Sequence, residues 1–149
     1  REALAVQAFE EALTVVNLID HPNEYAMLQN NLGNALQYVS SSHRVENGFR
    51  SLEAYDEALK VRTVQDMPEE YANTIANKAN CLSNLPDDPS NPDGGNFGNL
   101  AEAVRLLEEA KTIFVSRGVV DKAAAVKEAI DELTAALGPS TILERSGLQ

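Results

Sequence analysis

The fold is decided by the stretch His21-Pro22-Asn23-Glu24-Tyr25-Ala26-Met27-Leu28-Gln29-Asn30-Asn31-Leu32-Gly33-Asn34-Ala35-Leu36, which returns in altered form 46 residues later as Met67-Pro68-Glu69-Glu70-Tyr71-Ala72-Asn73-Thr74-Ile75-Ala76-Asn77-Lys78-Ala79-Asn80-Cys81-Leu82. Over the paired windows 22–38 with 68–84 and 8–19 with 54–65, 12 of 29 positions are identical. Chance agreement at roughly one position in twenty would give one or two. This fixed period indicates a repeat protein.

Composition and charge narrow the classes of protein that remain. The 149 residues suit one domain, and with only 5% aromatic residues and no Trp they favour closely packed helices over a sheet sandwich. A formal charge of −11 opposes binding to nucleic acid or to an anionic membrane surface, and it favours a neutral or basic protein partner.

Two features of the sequence bear on the cellular location of the protein. No apolar run approaches the roughly eighteen residues that span a bilayer, and the single Cys81 cannot form an internal disulfide. We therefore expect a cytoplasmic protein. Because Arg1 already lies in an apolar-periodic segment, we also expect the chain to be a fragment of a longer protein.

Apolar residues recur at three-and-four spacing in six segments, which predicts an all-α fold of about six helices. The predicted helices cover residues 2–18, 22–39, 49–66, 68–85, 99–117 and 121–137. Asn99 and Asp121 are the expected N-caps of the last two helices, and Gly118 is the expected stop of the fifth. The run 46–48 is expected to be a polar connection, and the Gly- and Pro-rich residues 86–98 an inserted loop.

Helices of this length in antiparallel pairs predict an α-solenoid. The expected units are a half repeat at about 2–20, repeats at 22–66 and 68–117, a final or capping helix at 121–137, and a tail at 138–149. A half repeat at one end leaves an apolar flank open, so the chain could also form homo-oligomers through its repeat ends.

The repeated residues resemble the tetratricopeptide repeat family, in which every repeat is a pair of helices, A and B. The resemblance lies in Leu32-Gly33 in one helix, then Tyr55 and Ala58-Leu59 in the next, and Pro68 before the following repeat. The combination of His21-Pro22 with Ala26 and Asn30-Asn31-Leu32-Gly33 is similar to the longer repeats of the kinesin-light-chain type. This resemblance implies that the second and fourth helices are A helices lining a concave face, with the first, third and fifth as B helices on the convex side.

Amide side chains are concentrated on the two implied A helices. Asparagine costs roughly half a kcal/mol or more against Ala inside a helix, because its amide competes with the helix ladder. We therefore expect a compensating role, which is binding to the peptide units of a partner. The predicted partner-binding residues are Asn30, Asn34, Gln37, Asn73, Asn77 and Asn80.

The repeat also pairs Asn31 with Asn77 and Asn34 with Asn80, which predicts parallel rungs of amides on stacked A helices. The alternative for Asn31 and Asn77 is that they only bond backbone between neighbouring repeats. Charge is sparse here, since Glu24 is the one charged residue between positions 22 and 42, whereas residues 44–66 hold nine.

The sequence offers no arrangement typical of an enzyme, a cofactor or a metal site. His21 and His43 lack a second ligand nearby, and the acidic loop lacks the ligand spacing of a calcium-binding loop. The main hypothesis is therefore a protein–protein interaction module that binds a partner peptide in an Asn-lined groove. The alternatives are a structural or self-assembling scaffold segment and a non-catalytic regulatory segment of an enzyme.

Overall fold

A computed structural model describes residues 1–138 of the chain, and this part is all-helical. The six helices of these residues are α1 (Glu2–Ala12), α2 (Pro22–Tyr38), α3 (Arg44–Ala58), α4 (Pro68–Leu82), α5 (Phe97–Ser116) and α6 (Val120–Leu137). Consecutive helices pack against one another as adjacent pairs, and α2 also touches α4. The all-α class and the number of helices predicted from the sequence are confirmed.

The core is divided among three apolar clusters along the array. One joins α4, α5 and α6 through residues such as Ile75, Leu107 and Phe114. A second joins α1, α2 and α3, and a third holds Tyr55 of α3 with Cys81 and Leu85. Helices α2 to α6 thus bury apolar residues against their neighbours in the chain, whereas α1 contributes only partly buried residues such as Phe9. Packing of this kind is how short amphipathic helices gain stability.

Gly33 lets α2 and α3 approach closely. A Cβ atom at this position would lie 2.6 Å from Cε1 of Tyr55, whose side chain is completely buried. The hydroxyl of Ser51, also on α3, donates to the carbonyl oxygen of Gly33 at 2.9 Å. The glycine of the Leu32-Gly33 pair is therefore required by the tyrosine ring that packs on it.

α1 and α3 end earlier than the apolar pattern predicts. α1 ends at Ala12 instead of residue 18, and α3 ends at Ala58 instead of residue 66. After α1, the side-chain oxygen of Asn17 accepts the backbone N–H groups of Ile19 at 3.0 Å and Asp20 at 2.8 Å. After α3, the hydroxyl of Thr63 accepts the N–H of Asp66 at 3.1 Å. These side chains accept hydrogen bonds from backbone N–H groups of the connections. The connections can therefore be non-helical although apolar residues continue at helical spacing.

The connections themselves repeat. Leu13 and Leu59 each donate a backbone N–H to the fourth residue before them, and both distances are 3.0 Å. His21 and Met67 do the same at 3.0 and 2.9 Å. The period of 46 residues is thus present in the backbone hydrogen bonds as well as in the sequence.

Other predicted boundaries are wrong for identifiable reasons. Residues 46–48 lie inside α3, where Asn47 and Gly48 are buried and the carbonyl of Gly48 accepts from Sγ of Cys81 at 3.3 Å. α5 begins at Phe97, so the inserted loop ends at residue 96. Asn99 and Asp121 are not N-caps, since those positions belong to Asn96 and Val119.

The first turn of α5 is capped from a distance. The carboxylate of Asp87 accepts the backbone N–H groups of Gly98 at 2.9 Å and Asn99 at 2.8 Å. The amide of Asn99 donates to the carbonyl oxygens of Leu85 and Pro86, both at 3.1 Å. These bonds satisfy the free donors of the helix start and fix the loop to it.

The C-terminal end of α5 lies at the glycine that the sequence predicts as its stop. Gly118 has φ = 74°, its N–H donates to Val115 O at 3.1 Å, and the N–H of Val119 donates to Phe114 O at 2.9 Å. This is a Schellman motif, which confirms Gly118 as the stop of the helix. The predicted tail, apart from Gly138, lies outside the described residues.

Candidate functional site

The six predicted site residues lie on two helices that touch, three on α2 and three on α4. All six take part in hydrogen bonds within the fold, and five of them link α2, α3 and α4. The structure therefore places the predicted residues on neighbouring helices, with much of their bonding capacity already used.

Asn30 is a buried junction between α2 and α4. Its Oδ1 accepts from the Thr74 hydroxyl and from Nδ2 of Asn77, both at 3.2 Å. Nη1 of Arg62 in turn donates to the Thr74 hydroxyl at 3.2 Å. Burial lowers the pKa of Arg62, and Asn30 is only 9% exposed. Asn30 therefore ties helices together and lies off the open surface.

Asn34 and Gln37 bind the buried tyrosine of α3. The Tyr55 hydroxyl donates to Oδ1 of Asn34 at 2.6 Å and accepts from Nε2 of Gln37 at 2.9 Å. Burial raises the pKa of Tyr55 well above its usual range. The two amides thus compensate the phenol for the loss of water on folding.

Asn80 links the C-terminal ends of α2 and α4. Its Nδ2 donates to Oε1 of Gln37 and to the Tyr38 hydroxyl, the latter at 2.9 Å. The observed pairs between α2 and α4 are thus Asn30 with Asn77 and Gln37 with Asn80. These hydrogen bonds join residues that are not separated by 46 positions, and within residues 1–138 none joins Asn31 to Asn77 or Asn34 to Asn80. The rungs of equivalent residues stay a prediction.

Asn73 ties α4 to α6. Its Oδ1 accepts from Nζ of Lys122 at 2.9 Å, and the same ammonium lies 5.8 Å from the centre of the Phe114 ring. This contact joins the N-terminal part of α4 to the first turn of α6. Further along, the two helices separate.

The space between them is a cleft of about 600 Å³, which we call the α4–α6 cleft. Its floor is apolar, with side chains of α4, α5 and α6. Its rim is polar, and Glu132 is its one charged lining residue. The apolar lining residues are Ala76, Leu100, Leu107, Ala125, Val126, Ala129, Leu133 and Ala136, and the polar rim residues are Asn77, Asn80, Ser83, Asn84, Asn96 and Glu132.

No family model, curated protein or solved structure matches the chain.

A smaller cleft of about 340 Å³ lies between α1 and α2. It is lined by Ala5 and Phe9 of α1 and by Asn31, Asn34 and Tyr38 of α2, with Glu2 at its edge and Ala35 in its wall. Of the predicted site residues, Asn77 and Asn80 line the α4–α6 cleft and Asn34 lines this one. Asn30, Gln37 and Asn73 line neither.

Sequence reasoning missed most residues of the larger cleft. Asn84 precedes the inserted loop and Asn96 is its last residue, and Asn96 Nδ2 donates to the carbonyl oxygen of Ser83 at 2.8 Å. Leu100, Val126 and Leu133 belong to the apolar stripes of α5 and α6, which predict burial and not a binding surface. Apolar spacing identifies the apolar stripe of each helix, but it does not show where two neighbouring helices leave a cleft between them.

Other side chains offer little reactivity. Cys81 is 1% exposed, and burial raises the pKa of its thiol to about 11. Within residues 1–138 there is no group of three or more His, Cys, Asp or Glu residues placed to hold a metal ion. In the same part of the chain, none of the helices is both long enough and apolar enough to cross a membrane.

Proposed function

We propose that this chain is a protein-binding module that holds a segment of a partner protein in the α4–α6 cleft. The observation that carries the proposal is the cleft itself, an open apolar floor bordered by four asparagines. Pockets that bind ligands combine an apolar surface with a few polar groups that fix orientation. A peptide with apolar side chains would bury them on this floor and bond its polar groups to the rim.

We further propose that the array is a short α-solenoid of the tetratricopeptide type. In this arrangement α2, α4 and α6 are A helices, and α1, α3 and α5 are B helices. Support comes from the 46-residue period in sequence and hydrogen bonds, and from the close packing of Gly33 on Tyr55. The α4–α6 cleft would then lie between two successive A helices on the concave face.

A blocking substitution tests the binding site. Ala136 and Ala135 are neighbouring exposed residues of α6, and only Ala136 lines the cleft. Between Ala125 and Ala136 the helix rises about 16 Å, so random peptides of about twelve residues are long enough to fill the cleft in helical or extended form. Such peptides are selected on the immobilised wild-type chain, and their affinities are measured by calorimetry.

We expect the selected peptides to bind Ala136→Trp at least about tenfold more weakly, because the indole occupies apolar surface that the peptide needs. Ala135→Trp should bind them like the wild type. Equal affinity for both variants would show that the peptides bind elsewhere and would refute the proposed site. Circular dichroism of each variant checks that the helices are intact.

The second candidate function is a self-assembling scaffold segment, and one observation favours it. No residue of α1 is buried, and apolar side chains on and after this helix are open to solvent, including Leu4 at 71% and Ile19 at 83% exposure. Apolar surface of this kind favours association. Sedimentation equilibrium of the wild type and of Leu4→Glu tests it: a mass that rises with concentration in the wild type alone would support assembly.

A further inference from the structure

The hydrogen bonds at the rim of the α4–α6 cleft leave an excess of acceptors. Both hydrogens of the Asn80 amide are used, by Gln37 and Tyr38. The Asn84 amide donates to the carbonyl oxygen of Asn80 at 3.0 Å and to the Ser83 hydroxyl at 3.5 Å. Asn77 and Asn96 each use one hydrogen, so two of the eight amide hydrogens of these four side chains remain.

The four carbonyl oxygens of the same amides remain open. Within residues 1–138, Oδ1 of Asn77, Asn80, Asn84 and Asn96 accepts no hydrogen bond. For Asn84 and Asn96 the orientation of the amide follows from chemistry, because each faces a backbone carbonyl oxygen, which accepts and cannot donate. The rim therefore offers four acceptors against two donor hydrogens.

The charges around the cleft act in the same direction. Glu132 is the one charged residue of its lining. The nearby cations are engaged elsewhere, with Lys78 paired to Asp56 at 2.7 Å and Lys127 to Asp131 at 3.0 Å. The whole chain carries a formal charge of −11, which raises the local concentration of cationic groups.

The helix ends add to this field. α4 and α6 both end beside the cleft, since Ser83, Asn84 and Ala136 are among its lining residues. The C-terminal end of a helix carries partial negative charge and favours cations. The opposing positive end, at the start of α5, already binds the carboxylate of Asp87.

We infer that the α4–α6 cleft selects a partner segment in which apolar side chains lie next to Arg or Lys. The apolar side chains bury on the floor, while the guanidinium or ammonium group donates to the open amide oxygens and pairs with Glu132. Arg fits best, since it has five donors and no acceptor. The inference rests on the proposed function, because it names the chemistry of the segment that the same cleft would hold.

The selected peptides test this preference. Their sequences should be enriched in Arg or Lys beside Leu, Ile or Val. Replacing an arginine of the peptide by citrulline, which keeps its shape and removes the charge, should weaken binding about tenfold, in line with hydrogen bonds that involve a charged group. Glu132→Gln should weaken binding about threefold. The matched control is Glu128→Gln, one turn away on α6 and outside the cleft, which should change affinity by less than about twofold.

The possible outcomes separate the two proposals. Peptides that lose binding to Ala136→Trp but carry no basic residue, or that tolerate citrulline, would overturn the inference and leave the binding site in place. Peptides that bind Ala136→Trp like the wild type would overturn both. Equal losses for Glu132→Gln and Glu128→Gln would assign the effect to net charge and would also overturn the pairing with Glu132.

Discussion

Replacing Gly33 by alanine should destabilise the protein, although alanine is the better helix former. A Cβ atom at position 33 would lie 2.6, 2.8 and 2.9 Å from three carbon atoms of the Tyr55 ring. The ring is fully buried and its hydroxyl is held by Asn34 and Gln37, so it cannot swing into solvent. Either the ring or the α2 backbone must move.

The expected cost follows from three opposing contributions. Replacing glycine by alanine in a helix interior gains about 0.5–1 kcal/mol. Forcing an extra methyl group into a packed interior costs about 1–3 kcal/mol. If the ring moves, two hydrogen bonds of its hydroxyl are weakened, at about 1 kcal/mol each. The net result is a loss of about 2–4 kcal/mol in the free energy of unfolding, which is a large share of the 5–15 kcal/mol typical of a domain.

The assay is urea unfolding followed by far-UV circular dichroism, in a double-mutant cycle with Tyr55→Leu. In the next helix pair the chain has Ala79 at the position of Gly33 and Leu107 at the position of Tyr55, both in one buried cluster. In the Tyr55→Leu background, Gly33→Ala should therefore cost less than about 1 kcal/mol or be stabilising.

Two results would refute this reasoning. A Gly33→Ala variant as stable as the wild type would show that the ring is not held against the glycine. An equal cost in both backgrounds would show that the loss does not come from Tyr55. Gly98→Ala, in the first turn of α5, brings a Cβ atom 3.3 Å from the exposed carboxylate of Asp87 and does not touch Tyr55. As the control, it should cost less than Gly33→Ala and cost the same in the wild-type and Tyr55→Leu backgrounds.

Three further predictions concern the polar contacts. Thr74→Val keeps the shape of the side chain but removes a fully buried hydroxyl that both donates and accepts, so it should lower the free energy of unfolding by about 1–3 kcal/mol; unchanged urea unfolding would contradict this. Asp87→Ala removes two hydrogen bonds to the first turn of α5 and should lower the free energy of unfolding by about 0.5–2 kcal/mol. The control, Asp93→Ala, should lower it by less. Equal thermal unfolding midpoints for the two variants would count against the capping role. Burial and a bond to a carboxylate raise the pKa of Tyr71 from 10.0 to about 12. The neutral phenol is favoured in the folded state, so this part of the stability is complete below pH 10 and is lost as the pH rises towards 12. Stability should therefore fall more steeply over that range in the wild type than in Tyr71→Phe, and parallel curves would refute the assignment.

The sequence is sufficient to predict the class of fold and the number of helices. The 46-residue repeat and the apolar stripes are local patterns, and Pro22 and Pro68 open their helices as expected. Boundaries that depend on competition between local bonds were harder to predict. α1 and α3 end five residues before Asn17 and Thr63, whose side chains bond the backbone of the connections, while the apolar spacing continues past the helix ends.

Contacts between distant residues explain the remaining differences. Residues 46–48 have the composition of a loop, yet they lie inside α3, where the missing side chain of Gly48 leaves room for Leu85. Asp87 caps a helix that starts ten residues later in the chain, which no local capping pattern can show. The α4–α6 cleft likewise depends on how far two helices separate.

The asparagines of α2 and α4 connect folding with the proposed binding. The sequence shows that their cost inside helices needs compensation, and the structure supplies it in bonds between neighbouring helices. The bonds between α2 and α4 use both amide hydrogens of Asn80 and one of Asn77, and Asn96 uses one on the carbonyl oxygen of Ser83, so open oxygens outnumber open hydrogens for a partner. The same bonds that tie α2 to α4 thus determine the polarity of the rim. A substitution such as Asn80→Leu should therefore weaken both the stability of the array and its preference for basic peptides. The carboxylate of Glu132 forms no hydrogen bond or ion pair within residues 1–138, so Glu132→Gln should affect only the binding.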